Sequence, residues 1–265
     1  MPVSLFHVDA FTDRAFGGNP AAVCPLDAWP DDDLLRAIAA ENNFSETAYF
    51  VPEGDHFRLR WFTRLCEVNL CGHATLATAF VLMTILDPQR QSVRFETRSG
   101  ELTVRREDDQ FAMDFPTLPP WKCATPPPAL TTGLGAGRVD SVLQLKDNYF
   151  VVYESERAVR DIRPDFRELE KLHPAGVAIT APGKDKHVDF VSRYFAPSYG
   201  IPEDPVTGST HCSLAPYWAQ RLGKKILHAR QVSERGGELW CEDAGSRVVI
   251  KGQAVLTLTG SLLIG

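Results

Sequence analysis

The pattern of apolar and polar residues changes character between positions 56 and 86. Residues 56–63 alternate between apolar and mostly basic side chains, which is the period-2 pattern of a half-buried strand. Residues 74–86 are apolar or near-neutral on every side, a pattern typical of a buried helix, and Pro88 prevents its continuation. The sequence therefore predicts a strand that leads into the most apolar helix of the chain.

The start of this helix combines backbone and side-chain groups that can act on a ligand. Because the helix is buried, its first N–H groups and the positive end of its dipole point into the protein. Gly72 lets a ligand approach the backbone closely, and Cys71 and His73 place two titratable groups beside it. Residues 71–73 are therefore a candidate active site.

The second half of the chain repeats the order of elements in the first half. A strand pattern at 190–195 echoes that at 59–63, a second largely apolar helix follows Gly208, and a hairpin follows the helix in both halves. The interval from the helix-start glycine to the hairpin glycine is 28 residues in the first half and 29 in the second. The same order at the same spacing predicts two similar domains.

The predicted fold class is α+β, with two similar domains related by a pseudo-twofold axis. Each domain is expected to be a curved, mostly antiparallel sheet around one central helix. We predict an N-terminal domain over 1–118 and a C-terminal domain over 129–265, with the alternative that the last strand, about 253–263, returns to the first domain. The prolines of 116–128 predict a linker without a strand or a helix, and the glycines of 133–137 predict a flexible loop.

If the two buried helices start opposite each other, their N–H groups converge on one cleft between the domains. Each helix start favours an anion by roughly 0.3–1 kcal/mol. The expected ligand is therefore a small carboxylate held in that cleft.

Composition and charge exclude several other classes of function. The 28 basic and 34 acidic residues give a net charge of −6, which argues against binding to nucleic acid or to an anionic membrane. The apolar run at 74–86 is shorter than the ~20 residues of a membrane span. The chain begins without a signal-peptide pattern, and its six cysteines form no Cys-x-x-Cys pair, so we expect reduced thiols and a cytoplasmic location.

Four short motifs resemble those of one enzyme family. They are Phe16-Gly17-Gly18-Asn19-Pro20, Ser45-Glu46-Thr47, Cys71-Gly72-His73-Ala74-Thr75 and Asp204-Pro205-Val206-Thr207-Gly208-Ser209. In this order they resemble the PhzF-like isomerases of the phenazine-biosynthesis family, which belong to the diaminopimelate-epimerase fold superfamily. The resemblance covers essentially the whole chain, and it is more specific for family and fold than for substrate.

The resemblance implies a cofactor-free isomerase in which one carboxylate shuttles a proton on a small acid. Glu46 matches the catalytic glutamate of the family, and His73 and Asp204 match the polar pair that flanks it, so the resemblance implies that all three are catalytic residues. The implied substrate-binding residues are those of the two helix starts and their neighbours, namely Ser45, Cys71, Gly72, Gly208, Ser209 and Thr210. The resemblance also implies a homodimer.

Two alternatives to a Glu46-dependent isomerase stay open at the level of the sequence. The first is an amino-acid or imino-acid racemase or epimerase that uses Cys71, although relatives of that kind carry a second cysteine where this chain has Thr207. The second is a non-catalytic module that binds a small acid or a protein. We expect no metal, because the spacings of Cys71 with His73 and of His211 with Cys212 match no standard pair of zinc ligands. No motif for an organic cofactor is present either.

Overall fold

The computed structural model describes residues 2–135 and 137–264 and divides into two units. The first unit comprises Met1–Phe115 and Ile250–Gly265, and the second comprises Pro116–Val249. The proline-rich residues 116–128, predicted to be a linker, thus belong to the second unit. The end of the chain belongs to the first.

The elements of the chain up to residue 116 are, in order, β1 (Pro2–Ala10), β2 (Asn19–Pro25), α1 (Asp32–Asn42), β3 (Thr47–Glu53), β4 (His56–Phe62), β5 (Glu67–Val68), α2 (Gly72–Phe80), a π-helical turn (Val81–Leu86), β6 (Ser92–Thr97), β7 (Gly100–Glu107) and β8 (Gln110–Pro116). The elements that follow are β9 (Trp121–Lys122), α3 (Pro128–Leu134), β10 (Val139–Leu145), β11 (Asn148–Tyr153), α4 (Glu156–Asp161), α5 (Phe166–Glu170), β12 (Gly176–Pro182), β13 (Phe190–Ala196), a 3-10 turn (Pro197–Tyr199), β14 (Ile201–Asp204), α6 (Gly208–Leu222), β15 (Ile226–Gln231), β16 (Gly237–Asp243), β17 (Arg247–Gly252) and β18 (Ala254–Leu263).

The strands pair in the same pattern in both units. In the first unit the pairs are β1–β2 antiparallel, β2–β3 parallel, β3–β4 antiparallel, β4–β6 parallel and β6–β7 antiparallel. In the second unit they are β10–β11 antiparallel, β11–β12 parallel, β12–β13 antiparallel, β13–β15 parallel and β15–β16 antiparallel. The predicted repeat is therefore present in the strand topology, and the predicted α+β class is confirmed.

The helix α2 is the buried helix that the sequence predicts. Every residue from Gly72 to Ala79 is buried, and the helix packs on β1, β2, β3 and β18. Its two buried threonines are satisfied within the helix, since Thr75 Oγ1 donates to the Cys71 carbonyl at 2.6 Å and Thr78 Oγ1 to the Ala74 carbonyl at 2.7 Å. An apolar helix can thus carry hydroxyl groups without an unsatisfied donor in the core.

The helix α6 occupies the corresponding place in the second unit, where it packs on β15 and β16. His211, at the position that corresponds to Thr75, places Nδ1 2.9 Å from the Thr207 carbonyl. Farther along the helix, Trp218 stacks on Phe190 and donates from Nε1 to Thr180 Oγ1 at 2.9 Å. Both helices therefore begin inside their units.

Two local predictions are wrong in the segment that was expected to lack structure. The residues Trp121 and Lys122 form the short strand β9, which pairs with β10, because neither they nor Cys123 are prolines and each keeps a backbone N–H group. Pro128 begins α3, since a proline at the first helical position gives up no intrahelical hydrogen bond. Gly133 lies in this helix rather than in a loop, and its missing side chain lets α3 approach Leu169 of α5.

The long apolar segment also differs from its prediction in one respect. The α-helix ends at Phe80, and Val81–Leu86 continues it as a π-helical turn. The predicted end before Pro88 is nevertheless correct.

None of the helices within 2–135 and 137–264 has the length and the apolar character that crossing a membrane requires.

Candidate functional site

A short loop between β5 and α2 holds the first helix start in place. Ser99 Oγ donates to the Asn69 carbonyl at 2.8 Å, three residues before Gly72. Cys71 has an extended backbone at the N-cap position, with φ −143°, and its carbonyl accepts from Thr75 N at 3.1 Å. The loop therefore delivers Cys71, Gly72 and His73 together at the buried end of the helix.

Glu46, Cys71 and His73 meet at this helix start. Glu46 directly precedes β3, which pairs with β2 and β4, so the sheet fixes where its side chain begins. His73 Nε2 lies 3.4 Å from Glu46 Oε2, and Cys71 Sγ lies 3.5 Å from His73 Nδ1. The side chain of Glu46 is only 13% exposed, and that of His73 only 6%. A carboxylate, a thiol and an imidazole thus share one largely buried place.

Asn19 orients the imidazole of His73. Its side-chain Nδ2 lies 3.3 Å from His73 Nδ1, and Asn19 is fully buried at the start of β2. An amide NH₂ group only donates, so with this orientation of Asn19 the lone pair is on Nδ1 and the proton on Nε2. The protonated Nε2 is then the ring nitrogen that lies 3.4 Å from Glu46 Oε2.

Burial keeps His73 neutral. It lowers the pKa of His73 from its usual value to about 3, because the charged imidazolium would lose its hydration in this position. The sequence predicts a neutral histidine for another reason, the positive end of the helix dipole. The structure adds desolvation as the main cause, and His73 is therefore a neutral hydrogen-bonding group at physiological pH.

The turn between β1 and β2 positions Asn19. Phe16 N donates to Asp9 Oδ2 at 2.7 Å, which closes the turn on the end of β1. Gly18 has φ +60°, and a Cβ atom there would lie 2.1 Å from the Ala10 carbonyl oxygen. Only glycine fits this position, so the Gly-Gly-Asn-Pro motif has a structural reason: it brings Asn19 to His73.

The second unit contains a helix start built on the same plan. Ser233 Oγ donates to the Pro205 carbonyl at 2.8 Å, three residues before Gly208, as Ser99 does before Gly72. Thr207 has an extended backbone at the N-cap position, with φ −111°. The two helix starts are therefore local repeats of one another.

Gln231 organises the polar groups around the second helix start. Its Oε1 accepts from Thr207 N at 2.9 Å, and its Nε2 donates to the Asp204 carbonyl at 2.8 Å. Thr207 Oγ1 donates in turn to Asp204 Oδ2 at 2.5 Å. Asp204, Thr207 and the first turn of α6 thus form one hydrogen-bonded group.

The predicted site residues fall into two sets, one in each unit. Ser45, Glu46, Cys71, Gly72 and His73 belong to the first unit, where the last four lie at or beside the start of α2. The residues of the other set lie at β14 and the first turn of α6, namely Asp204, Gly208, Ser209 and Thr210. Of these, Gly208 and Thr210 are buried, Asp204 is half-buried and Ser209 is exposed.

Sequence reasoning missed two residues that position the site. Asn19 was part of the quoted Gly-Gly-Asn-Pro motif, so its presence beside a tight turn was a usable signal. Gln231 lies 24 residues from Thr207 on a different strand and carries no local pattern. Only the pairing of β13 with β15 brings it to the helix start.

The side chains of Glu46, Cys71 and His73 also have the composition of a metal-binding group. One potential ligand atom from each lies within 4.8 Å of the others. The sequence excluded this possibility from the spacing of Cys71 and His73 alone, and it could not place Glu46 beside them.

Comparisons with known proteins agree with this architecture. The family model described as phenazine biosynthesis-like protein matches residues 8–260. An uncharacterised isomerase of Pseudomonas aeruginosa is 55% identical over 262 residues, which cover 99% of each chain. The crystal structure of a PhzF-family phenazine biosynthesis protein from Enterococcus faecalis is 42% identical, covers 100% of both chains and has a TM-score of 0.95.

A more distant structure shares the fold alone. A probable proline racemase from Agrobacterium radiobacter has a TM-score of 0.63 at 11% identity, with 99% of this chain and 93% of that chain covered. The repeated helix starts, the strand topology and the full-length similarity lead to one conclusion. The chain belongs to the PhzF family of phenazine biosynthesis-like proteins, and it is an enzyme of the isomerase class.

Proposed function

We propose that this isomerase needs no cofactor and moves a proton on a small carboxylate-bearing substrate, with Glu46 as the general acid and base. The observation that carries the proposal is the position of the Glu46 carboxylate, 3.4 Å from a neutral imidazole at the buried start of α2. A carboxylate at such a position can take a proton from one carbon and return a proton at another carbon, and its acid form exchanges that proton with solvent between the two steps.

His73 and the helix start assist the two proton transfers in different ways. His73 Nε2 lies 3.4 Å from Glu46 Oε2 and positions the carboxylate as a neutral polar neighbour, because the imidazole stays uncharged. The negative charge that develops on the substrate when its proton leaves is stabilised by the N–H groups of the first turn of α2. Gly72 permits the close approach that this stabilisation requires.

The polar group of the second unit serves substrate binding in this proposal. Asp204 is fixed by Thr207, and Thr207 is fixed by Gln231, so the carboxylate of Asp204 has a defined orientation. The N–H groups at Gly208, Ser209 and Thr210 suit an anionic substituent of the substrate.

A Cys71-dependent racemase is the second candidate, since the thiol lies 3.5 Å from His73 Nδ1 at a helix start, where thiolates form readily. A racemase of this kind needs a second base. The corresponding residue, Thr207, donates its hydroxyl hydrogen to Asp204 and is no base near neutral pH. The hydrogen bond from Thr207 to Asp204 therefore favours Glu46 as the base over a pair of bases at the two helix starts.

Solvent-deuterium exchange tests the proposal. Small carboxylic acids are incubated with the enzyme in D₂O with a chelator present, and mass spectrometry measures the label that each acid gains. We expect the wild-type protein to label at least one acid at carbon, and Glu46→Gln to lose that labelling. Glu53→Gln, an exposed carboxylate on β3, is the matched control and should label as the wild type does.

A third variant separates the two candidate mechanisms. Cys71→Ala should retain more labelling than Glu46→Gln if Glu46 is the base. Equal labelling by wild type and Glu46→Gln, together with complete loss of labelling in Cys71→Ala, would favour the Cys71-dependent racemase over the proposed isomerase.

The homodimer implied by the family resemblance is a separate proposal, and analytical ultracentrifugation tests it.

A further inference from the structure

We propose that two arginine–glutamate pairs, Arg60 with Glu67 and Arg193 with Glu203, are the positioning pairs of the two helix starts. Each pair fixes the short strand that leads into a helix start, and thereby fixes the polar groups that the helix start carries. The positioning follows from the geometry inside each unit. Its consequence for proton transfer rests on the proposed function.

Both positioning pairs have the same bidentate geometry. In the first unit, Arg60 donates from Nε to Glu67 Oε1 at 2.9 Å and from Nη2 to Oε2 at 2.5 Å. In the second unit, Arg193 donates from Nε to Glu203 Oε1 at 2.8 Å and from Nη2 to Oε2 at 2.9 Å. Two parallel charge-assisted bonds fix the direction between two side chains as well as their distance. Each glutamate is therefore held in one defined orientation.

The positioning pairs occupy corresponding places in the repeat. Arg60 lies on β4 and Arg193 on β13, and each guanidinium lies 4.9 Å from the ring centroid of the phenylalanine two residues farther along its strand. Each glutamate precedes the glycine of its helix start by five residues. The same contact thus recurs at the same distance from both helix starts, which indicates a shared role rather than a chance surface contact.

The positioning pairs are also shielded from water. One member of each pair is nearly inaccessible, since the side chain of Glu67 is 6% exposed and that of Arg193 is 10% exposed. Water and salt screen such a pair less than they screen an ion pair on the surface. The two pairs can therefore hold the backbone where a surface ion pair would not.

The strands that carry the two glutamates are short and need such a constraint. β5 has two residues, and both pair with β4. β14 has four residues and is paired with β13 at Ile201 and Asp204, across a register shift. A strand with so few partners opens locally with little cost in free energy. The side-chain pairs supply the constraint that the short backbone ladders lack.

In the first unit, the pair positions the start of α2. A second arginine, Arg98, places Nη2 2.7 Å from Glu67 Oε2, and its neighbour Ser99 donates to the Asn69 carbonyl. The backbone is thus held at two points shortly before the helix. Because β3 holds Glu46 separately, loss of the pair would shift the helix start relative to the Glu46 carboxylate.

In the second unit, the pair positions Asp204. Successive side chains of a strand point to opposite faces, so Glu203 and Asp204 project on opposite sides of β14. Arg193 also donates from Nη1 to the carbonyls of Val159 and Ile162, at 3.1 and 2.9 Å, where α4 ends. The pair therefore ties β14 to α4. A movement of Glu203 would turn Asp204 away from the first turn of α6.

Amide hydrogen exchange of the full-length protein tests the positioning. The test variants are Glu67→Gln and Glu203→Gln, which keep the shape of the side chain but remove the charge that strengthens both hydrogen bonds. The matched controls are Glu101→Gln and Glu154→Gln, at exposed glutamates that also form an ion pair with an arginine. Mass spectrometry follows the peptides that contain the two helix starts.

Each test variant should accelerate exchange at its own helix start. We expect an increase of about tenfold or more, since a hydrogen bond to a charged group usually changes a local equilibrium by at least that factor. Glu67→Gln should leave the second helix start unchanged, and Glu203→Gln the first, so each variant is a control for the other. If either variant does not fold, Arg60→Lys or Arg193→Lys replaces it, because lysine keeps the charge but cannot bind in bidentate fashion.

Thiol modification separates positioning from a general loss of stability. Cys71 is the N-cap residue of α2, and Cys24 is fully buried on β2 of the same unit. Iodoacetamide should modify Cys71 faster in Glu67→Gln than in the wild type, whereas the rate at Cys24 should not change. Equal acceleration at both thiols would show that the whole unit is loosened.

Deuterium labelling at carbon shows whether the positioning matters for the reaction. With an acid that the wild type labels, Glu67→Gln should lower the maximal rate of labelling by about tenfold or more, since a small misplacement of catalytic groups is costly. Glu203→Gln should instead raise the acid concentration that gives half the maximal rate, because the second helix start is assigned to substrate binding. A merely structural role would change neither quantity.

Three results would overturn the inference. They are wild-type amide exchange at the helix starts of both test variants, equal acceleration at Cys71 and Cys24, and faster amide exchange without any change in labelling. If the wild type labels no acid, the proposed function fails. Amide exchange and thiol modification need no turnover, so they still decide whether the two pairs position the helix starts.

Discussion

His73 shows how burial alone can set the role of a side chain. Its ring is held by Asn19, faces Glu46 and Cys71, and stays neutral because the site excludes water. The residue type and its place before an apolar helix were visible in the sequence. The partner Asn19, 54 residues away, was not assigned, because only the folded β1–β2 turn brings it there.

The lowered pKa of His73 predicts a dependence of stability on pH. The unfolded chain protonates this histidine near pH 6.5, whereas the folded chain does so only near 3. The stability contributed by the neutral ring is therefore fully present above about pH 6.5 and is lost as the pH falls toward 3. For one such group the slope is about 1.4 kcal/mol per pH unit.

Urea unfolding at several pH values between 7 and 4 measures this slope. The variant His73→Gln should show a shallower loss of stability of the first unit on acidification than the wild type. His211 in the second unit is the matched comparison, since burial lowers its pKa to about 4 and its own contribution should persist in His73→Gln. Equal slopes for the first unit in both proteins would show that His73 is not buried in its neutral form.

At the scale of elements, the two helix starts are the feature that the sequence predicted best. A glycine followed by an apolar run identified both Gly72 and Gly208, and Ser99 and Ser233 hold the preceding loops in the same way. The strands predicted at 56–63 and at 190–195 were also found, as β4 and β13. The π-helical turn after Phe80 and the helix that begins at Pro128 were not predicted, because both depend on tertiary packing and not on the spacing of apolar residues along the chain.

The turn that carries Asn19 gives a prediction at this scale. Gly18→Ala should destabilise the first unit by about 2–5 kcal/mol, since it combines a left-handed backbone with a Cβ only 2.1 Å from the Ala10 carbonyl oxygen. Gly54→Ala is the matched control: its φ is +64°, but nothing lies within 4 Å of the added Cβ, so it should cost about 1 kcal/mol. Chemical denaturation of both variants measures the difference. Equal losses would mean that the turn can relax.

At the scale of the whole molecule, the chain closes its first unit with its last strand. β18 pairs with β1 from Pro2↔Leu263 to Ala10↔Ala254, although some 250 residues separate the partners in sequence. A pairing between strands so far apart in sequence leaves no recognisable pattern in the residues of either strand. The sequence therefore offered the return of the last strand only as an alternative, and only through resemblance to a family.

Truncation after Gln253 tests what this strand contributes. The shortened chain keeps the bond from Phe11 N to the Gln253 carbonyl but loses every β1–β18 pair. We expect the β1 amides that face β18 to lose their protection from hydrogen exchange. We also expect the first unit to unfold at a lower concentration of denaturant. Leu263→Ser, at a side chain that is 89% exposed, should change neither. Unchanged protection in the truncated chain would show that β1 is stable without its last partner.

The proposed reaction depends on Glu46, and the turnover of Glu46→Gln on a labelled substrate tests this role most directly. The substitution keeps the shape and hydrogen-bonding capacity of the side chain but removes its titratable proton. We predict that kcat falls by on the order of 10²–10⁴, the usual contribution of a positioned acid–base group, while the Kd of the substrate changes far less. Turnover at the wild-type rate would contradict the role of Glu46 and move the proton transfer to another residue.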